Sequence, residues 1–127
     1  MKLEHFAIDV PDSEAFIEWW CKNLGMRRSA PKSGFIMDDS GTIGLEIYRT
    51  GETPAAPDYA AMNAMTLHIA FASDDVKADV DRLVAAGAKV EQLKLDNPNF
   101  HMAIVRDPWG VSIQFCKRAN GIFIDAK

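Results

Sequence analysis

The chain has 127 residues, a hydrophobic share of 48% and a charged share of 25%, the proportions of one ordinary globular domain. Its formal net charge is −4 and its lysines and arginines are scattered without a run, which argues against nucleic acid as a partner. No apolar stretch reaches the length that spans a bilayer, and charges interrupt the opening MKLEHFAIDV. A membrane span and a signal peptide are therefore not expected, and a cytoplasmic location is.

Lys2–Val10 alternates like a strand, with Leu3, His5, Ala7 and Asp9 on one face and Phe6, Ile8 and Val10 on the other. A helix is predicted next. Pro11 with Asp12 or Ser13 starts it, Phe16, Ile17, Trp20 and Leu24 face the core, and Gly25 stops it. Three short strands follow, Met26–Ala30, Gly34–Asp38 and Thr42–Tyr48, with the turn Asp38–Gly41 joining the last two. Module one therefore covers about residues 1–50 as a β-α-β-β-β unit. Residues from about 51 to 63 are rich in Pro, Ala, Thr and Gly and read as a linker.

Module two, about residues 64–118, repeats the order. Met65–Phe71 is predicted as a strand. Ser73 or Asp74 caps a helix over Val76–Ala86 with Val76, Val80, Leu83 and Val84 inward, and Gly87 ends it. Lys89–Lys94, His101–Arg106 and Val111–Lys117 complete the strands, with turns at Asn97-Pro98-Asn99 and Asp107-Pro108-Trp109-Gly110. The tail, residues 119–127, carries Ile122, Phe123 and Ile124, which are expected to dock on a neighbouring surface. The predicted class is α+β, two tandem β-α-β-β-β modules whose curved sheets enclose a cleft within a single domain.

The echo between the halves is also chemical. Aligning His5 with His68 brings Asp12 onto Asp75 and Gly25 within a residue of Gly87, and the strands LEIYR and IQFCKR then place Glu46 opposite Gln114. Two imidazoles, a carboxylate and an amide are a donor set for one divalent ion, and these donor types do not choose among Zn, Ni, Co, Fe and Mn. Each residue has a structural alternative: a half-exposed polar residue for His5, a buried neutral ring for His68, a core hydrogen bond for Gln114. For Glu46, a carboxylate among aliphatics on a half-buried strand is costly unless paired or coordinated. Phe35, Met37, Phe100 and Met102 suit either an apolar pocket or the core. His101 suits a substrate contact or the surface, and Trp19 and Trp20 the core or an interface. Cys21 and Cys116 show no framework spacing and read as reduced thiols.

The segments LEHFAIDVPDSEAFIEWW, GLEIYR, TLHIAFASDDV and RDPWGVSIQFCKR, in this order, resemble the vicinal oxygen chelate superfamily over Lys2 to about Arg118. That superfamily comprises glyoxalase I, bleomycin- and fosfomycin-resistance proteins and extradiol dioxygenases. The resemblance implies paired modules, a homodimer, and a divalent metal held by His5, Glu46, His68 and Gln114. It also implies a glyoxalase-like lyase or isomerase acting on a small substrate with vicinal oxygens, with Glu46 as the base. Phe35, Met37, Phe100 and His101 are the candidate substrate contacts. The alternative is a module that sequesters a small molecule or antibiotic without catalysis, as bleomycin-resistance proteins do. Dioxygenase and thiol-transferase readings fit less well, since their pattern places a glutamate where Gln114 stands.

Overall fold

The computed structural model describes residues 1–49 and 55–121. The chain divides into two compact units, Met1–Pro57 and Asp58–Lys127. Residues 50–54, at the end of module one and the start of the expected linker, and the apolar residues Ile122, Phe123 and Ile124 of the tail lie outside the described residues.

The first unit runs β1 (His5–Val10), α1 (Ser13–Leu24), β2 (Arg27–Arg28), β3 (Phe35–Met37) and β4 (Gly44–Arg49). Asp12 is the N-cap of α1, its side chain accepting from the Ala15 amide at 3.0 Å, and Gly25 closes the helix at φ 67°, a conformation that favours glycine. Phe16, Ile17 and Trp20 are fully buried, and Phe16 stacks on Trp20 at 4.9 Å. Leu24, expected inward as well, is half-buried at the last position before the stop. The expected strand Met26–Ala30 shortens to Arg27–Arg28, because the Ser33 amide donates to the Ala30 carbonyl and turns the chain.

The strands order β1-β4-β3-β2, with β1 parallel to β4 and the other pairs antiparallel. Ile8, Val10, Ile36, Leu45 and Ile47 point to one face and are buried with the α1 side chains, where most of the apolar stabilisation of this unit resides. The opposite face carries His5, Ala7, Phe35, Met37 and Glu46.

The second unit repeats the plan: β5 (Ile69–Ala72), α2 (Val76–Ala85), β6 (Lys89–Lys94), β7 (Phe100–Arg106) and β8 (Ser112–Arg118), ordered β5-β8-β7-β6 with β5 parallel to β8. Three expectations are corrected. The strand expected over Met65–Phe71 begins at Ile69, because Asn63 turns the chain first: its Oδ1 accepts from the Met65 amide and its carbonyl from the Thr66 amide. The cap of α2 is Asp75, not Ser73 or Asp74, with Oδ1 accepting from the Ala78 amide at 3.1 Å. Ser73 is buried instead and donates to Asp79 at 2.5 Å. Val84 is 45% exposed, since Val76, Val80 and Leu83 already fill the inward stripe and Val84 lies past its edge.

Lys89–Lys94 coincides with β6, which carries a bulge between Val90 and Gln92. The residues Asp58–Asn63, read from sequence as linker, fold as part of this unit, with Tyr59 buried.

Candidate functional site

In the first unit, pairing of β1 with β4 sets His5 opposite Gly44 and Ala7 opposite Glu46. Gly44 leaves room that no other residue would. A Cβ there would sit 2.9 Å from the Ile36 carbonyl oxygen, so β3 and β4 approach closely only because the side chain is missing. Glu46 is flanked by Ala7 and Phe35, its register partners, and its side chain is 22% exposed. His5 Nε2 lies 3.3 Å from Glu46 Oε2, and His5 Nδ1 lies 3.2 Å from Glu4 Oε2. The ring of Phe35 meets the imidazole edge-on at 5.2 Å and 87°. An imidazole held between two carboxylates with an aromatic wall is partly desolvated and fixed in orientation. Its donor nitrogen and a carboxylate oxygen are side by side, close enough to serve one cation.

In the second unit, Gln114 faces Ala70 on β5 and Ile104 on β7. Ala70 occupies the repeat position of Ala7, so Gln114 stands in the same register slot as Glu46, with an amide where the first unit has a carboxylate. The half-buried Gln114 amide makes no side-chain hydrogen bond to the described residues. His68 sits immediately before β5, and its Nδ1–H donates to the Ala64 carbonyl at 2.8 Å. A carbonyl can only accept, so the neutral ring carries its proton on Nδ1 and keeps its lone pair on Nε2. Metal-ligating histidines are oriented in this way, with the far nitrogen bonded to a carbonyl or carboxylate.

The residues expected to touch substrate separate by face. Phe35 and Met37 share the face of His5 and Glu46. Phe100 shares the face of Gln114 and lies under the Arg118 guanidinium, 4.4 Å from its ring centre. His101, one residue on, points to the other side of the sheet opposite Lys117, so the structure does not bring it together with Gln114. Met102 is buried with Ala64, Ile104 and Cys116, which makes it a core residue. Trp20 is core as well. Burial pushes both cysteine thiols up, partly offset by Arg28 at Cys21 and Arg118 at Cys116, so neither is a ready thiolate ligand or nucleophile.

Among the described residues, no group of three or more His, Cys, Asp or Glu side chains is placed to hold a metal. The expected donors lie two in each unit: His5 and Glu46, 3.3 Å apart, in the first, and His68 and Gln114 in the second. By type, imidazole nitrogen, carboxylate oxygen and amide oxygen are all donors that divalent ions accept.

The family model described as Glyoxalase/Bleomycin resistance protein/Dioxygenase superfamily matches residues 2–115. The chain belongs to this superfamily. Solved structures agree on the fold. TnmS3, described as an antibiotic binding protein from Streptomyces sp. CB03234, superposes with a TM-score of 0.71 at 21% identity, covering 94% of this chain and 97% of its own. A glyoxalase family protein from Bacillus cereus gives a TM-score of 0.75 at 14% identity, with 93% and 94% covered. A superfamily member from Sphaerobacter thermophilus gives 0.70 at 10% identity, with 93% and 98% covered. No significant match is found among curated protein sequences. The superfamily's paired β-α-β-β-β plan accounts for the sheet order and for the matched slots of Glu46 and Gln114. No helix among the described residues is long and apolar enough to cross a membrane.

Sequence reasoning missed Arg106 and the segment Tyr59–Ala64. Arg106 donates to Glu91 Oε2 at 2.6 Å, to the Tyr59 carbonyl at 2.9 Å, to the Gly110 carbonyl at 3.2 Å and to the Met62 carbonyl at 2.7 Å. The available signal was a single arginine closing the apolar strand FHMAIVR directly before the Asp107–Gly110 turn.

Proposed function

We propose that the chain is a metal-dependent lyase or isomerase of glyoxalase-like type that acts on a small substrate with adjacent oxygen atoms. The observation that carries this reading is the 3.3 Å approach of His5 Nε2 to Glu46 Oε2 on an open sheet face, with its counterpart slot in the second unit filled by another oxygen donor, Gln114. His5, Glu46 and His68 would hold the ion and Gln114 would assist. When bound, the ion supplies Lewis-acid polarisation of two neighbouring substrate oxygens.

The chain's own residues supply the rest. Glu46 is the only carboxylate of the donor set. A carboxylate oxygen there takes a proton from a substrate carbon and returns it to the adjacent one, which leaves the overall atom count unchanged. Phe35 and Met37 place apolar side chains on the same face beside that carboxylate. Superfamily membership supports a homodimer as the working form, and two free thiols suit a reducing cytoplasm.

The test is elemental analysis after exposure to Ni, Co, Zn or Mn and removal of excess ion. Near-stoichiometric metal, lost in Glu46→Ala and His68→Ala, is expected. Absence of bindable metal in folded wild-type protein sinks the reading. A second reading, a non-catalytic module that sequesters an organic ligand, is favoured by the neutral Gln114 and by the shared fold of TnmS3. It predicts thermal stabilisation by bulky aromatic compounds and none by divalent ions.

A further inference from the structure

We infer that Arg106 is a positioning residue for His68: it clamps the segment Tyr59–Ala64, and the clamped Ala64 carbonyl fixes which nitrogen of the imidazole carries the proton. The inference deepens the proposed metal-site reading and rests on it for its functional meaning, although the geometry stands within the second unit alone.

A guanidinium has five N–H donors in a rigid fork, and Arg106 directs four hydrogen bonds from them. Two go to the carbonyls of Tyr59 and Met62, which lie at either side of a turn closed by the Met62 amide donating to the Tyr59 carbonyl at 3.2 Å. A third goes to the carbonyl of Gly110, which binds the same fork to the Asp107–Gly110 turn. The side chain is only 14% exposed, so these bonds are sheltered from competing water.

Gly110 completes the clamp from the other side. At φ 83° it has a backbone few residues tolerate, and a Cβ there would come within 2.6 Å of the Ala60 nitrogen and 2.8 Å of its Cα. The segment is therefore pressed directly against the turn. Beyond it, Ala64 is buried against Met102, Ile104 and Cys116, on the sheet face that carries Gln114. Its carbonyl then accepts from His68 Nδ1–H at 2.8 Å. Free neutral histidine prefers the proton on Nε2. The clamp reverses that preference and leaves Nε2 bare, the form a cation requires.

The test reads the His68 tautomer in metal-free protein by long-range proton–nitrogen NMR. In the wild type a pyrrole-type Nδ1 and a pyridine-type Nε2 are expected. Arg106→Gln removes the fork, and Gly110→Ala displaces the segment while keeping the Arg106 side chain. Both are expected to move His68 to the Nε2-protonated form and, where the wild type takes up metal, to weaken zinc uptake by about 10–100-fold. A wild-type ring protonated on Nε2 overturns the inference even if neither variant folds. Retention of the Nδ1-protonated form in either folded variant also overturns it. An Nδ1-protonated His68 in the wild type that shifts in both variants, together with no zinc uptake by the wild type, defeats the metal-site reading while leaving the positioning role intact, so the two failures are distinguishable.

Discussion

Replacing Gln114 with glutamate gives two effects of opposite sign. The new carboxylate would stand between Ala70 and Ile104, the latter 1% exposed, with no hydrogen-bond partner among the described residues. A charged group without a partner costs about 1–3 kcal/mol or more, and half-burial puts Gln114→Glu near the low end. About 1 kcal/mol corresponds to a fall of about 3–5 °C in Tm for a chain of this size. With a divalent ion the sign reverses. The Coulomb term for an added unit charge exceeds about 4 kcal/mol at an effective dielectric of about 20, and most of it is returned as desolvation. A net gain of about 1.4–2.8 kcal/mol is about 10–100-fold tighter binding.

The assay is a melting curve near neutral pH with and without Ni or Zn, paired with titration calorimetry. The variant should melt below wild type when metal-free and show the larger metal-induced rise. An unchanged Kd, or a metal-free variant at least as stable as wild type, would refute the proposed metal-facing role of position 114.

Two further outcomes follow from the helix ends and the thiols. Asp12→Ala and Asp75→Ala should each cost about 0.5–2 kcal/mol in urea unfolding, since each removes the same acceptor from a first-turn amide; a negligible loss at both sites would contradict the capping assignment. The thiols of Cys21 and Cys116 are pushed up chiefly by burial, so the folded state prefers them neutral relative to an ordinary thiol near 9.0. Stability should therefore be at full value below about 9 and decline as pH rises through the folded-state values. Alkylation near neutral pH should be slow in native protein and fast in denaturant, and rapid native labelling would count against the burial argument.

Elements governed by local rules were legible in the sequence. Asp12 and Gly25 bracket α1 because capping and a left-handed stop depend on adjacent residues. The alternation around Glu46 locates its strand and its face without any knowledge of the partner strands. His68 defeated the same logic: the apolar run from Met65 reads as a strand, but the Asn63 side chain competes for the amides and delays β5 to Ile69. Period-two alternation alone already separates His101, read as a substrate contact or a surface residue, from the face of Phe100. Arg106 was out of reach for a different reason. Its decisive acceptors, Tyr59 and Met62, lie 47 and 44 residues away, and no local pattern encodes a bond of that span.

The ends of each sheet away from β1 and β5 carry a consequence for the protein's behaviour at high concentration. The first sheet finishes in β2, only two residues long, and the second in β6, whose ladder is broken by the bulge at Val90/Gln92 and whose side chains include Lys89, Glu91 and Lys94. A stray strand meeting either margin finds too few aligned amides, or a kinked and charged row of them, and gains little by adding to it. Fibril-like growth by stacking is thus blocked at those margins by backbone geometry, independently of whatever ligand the open faces hold.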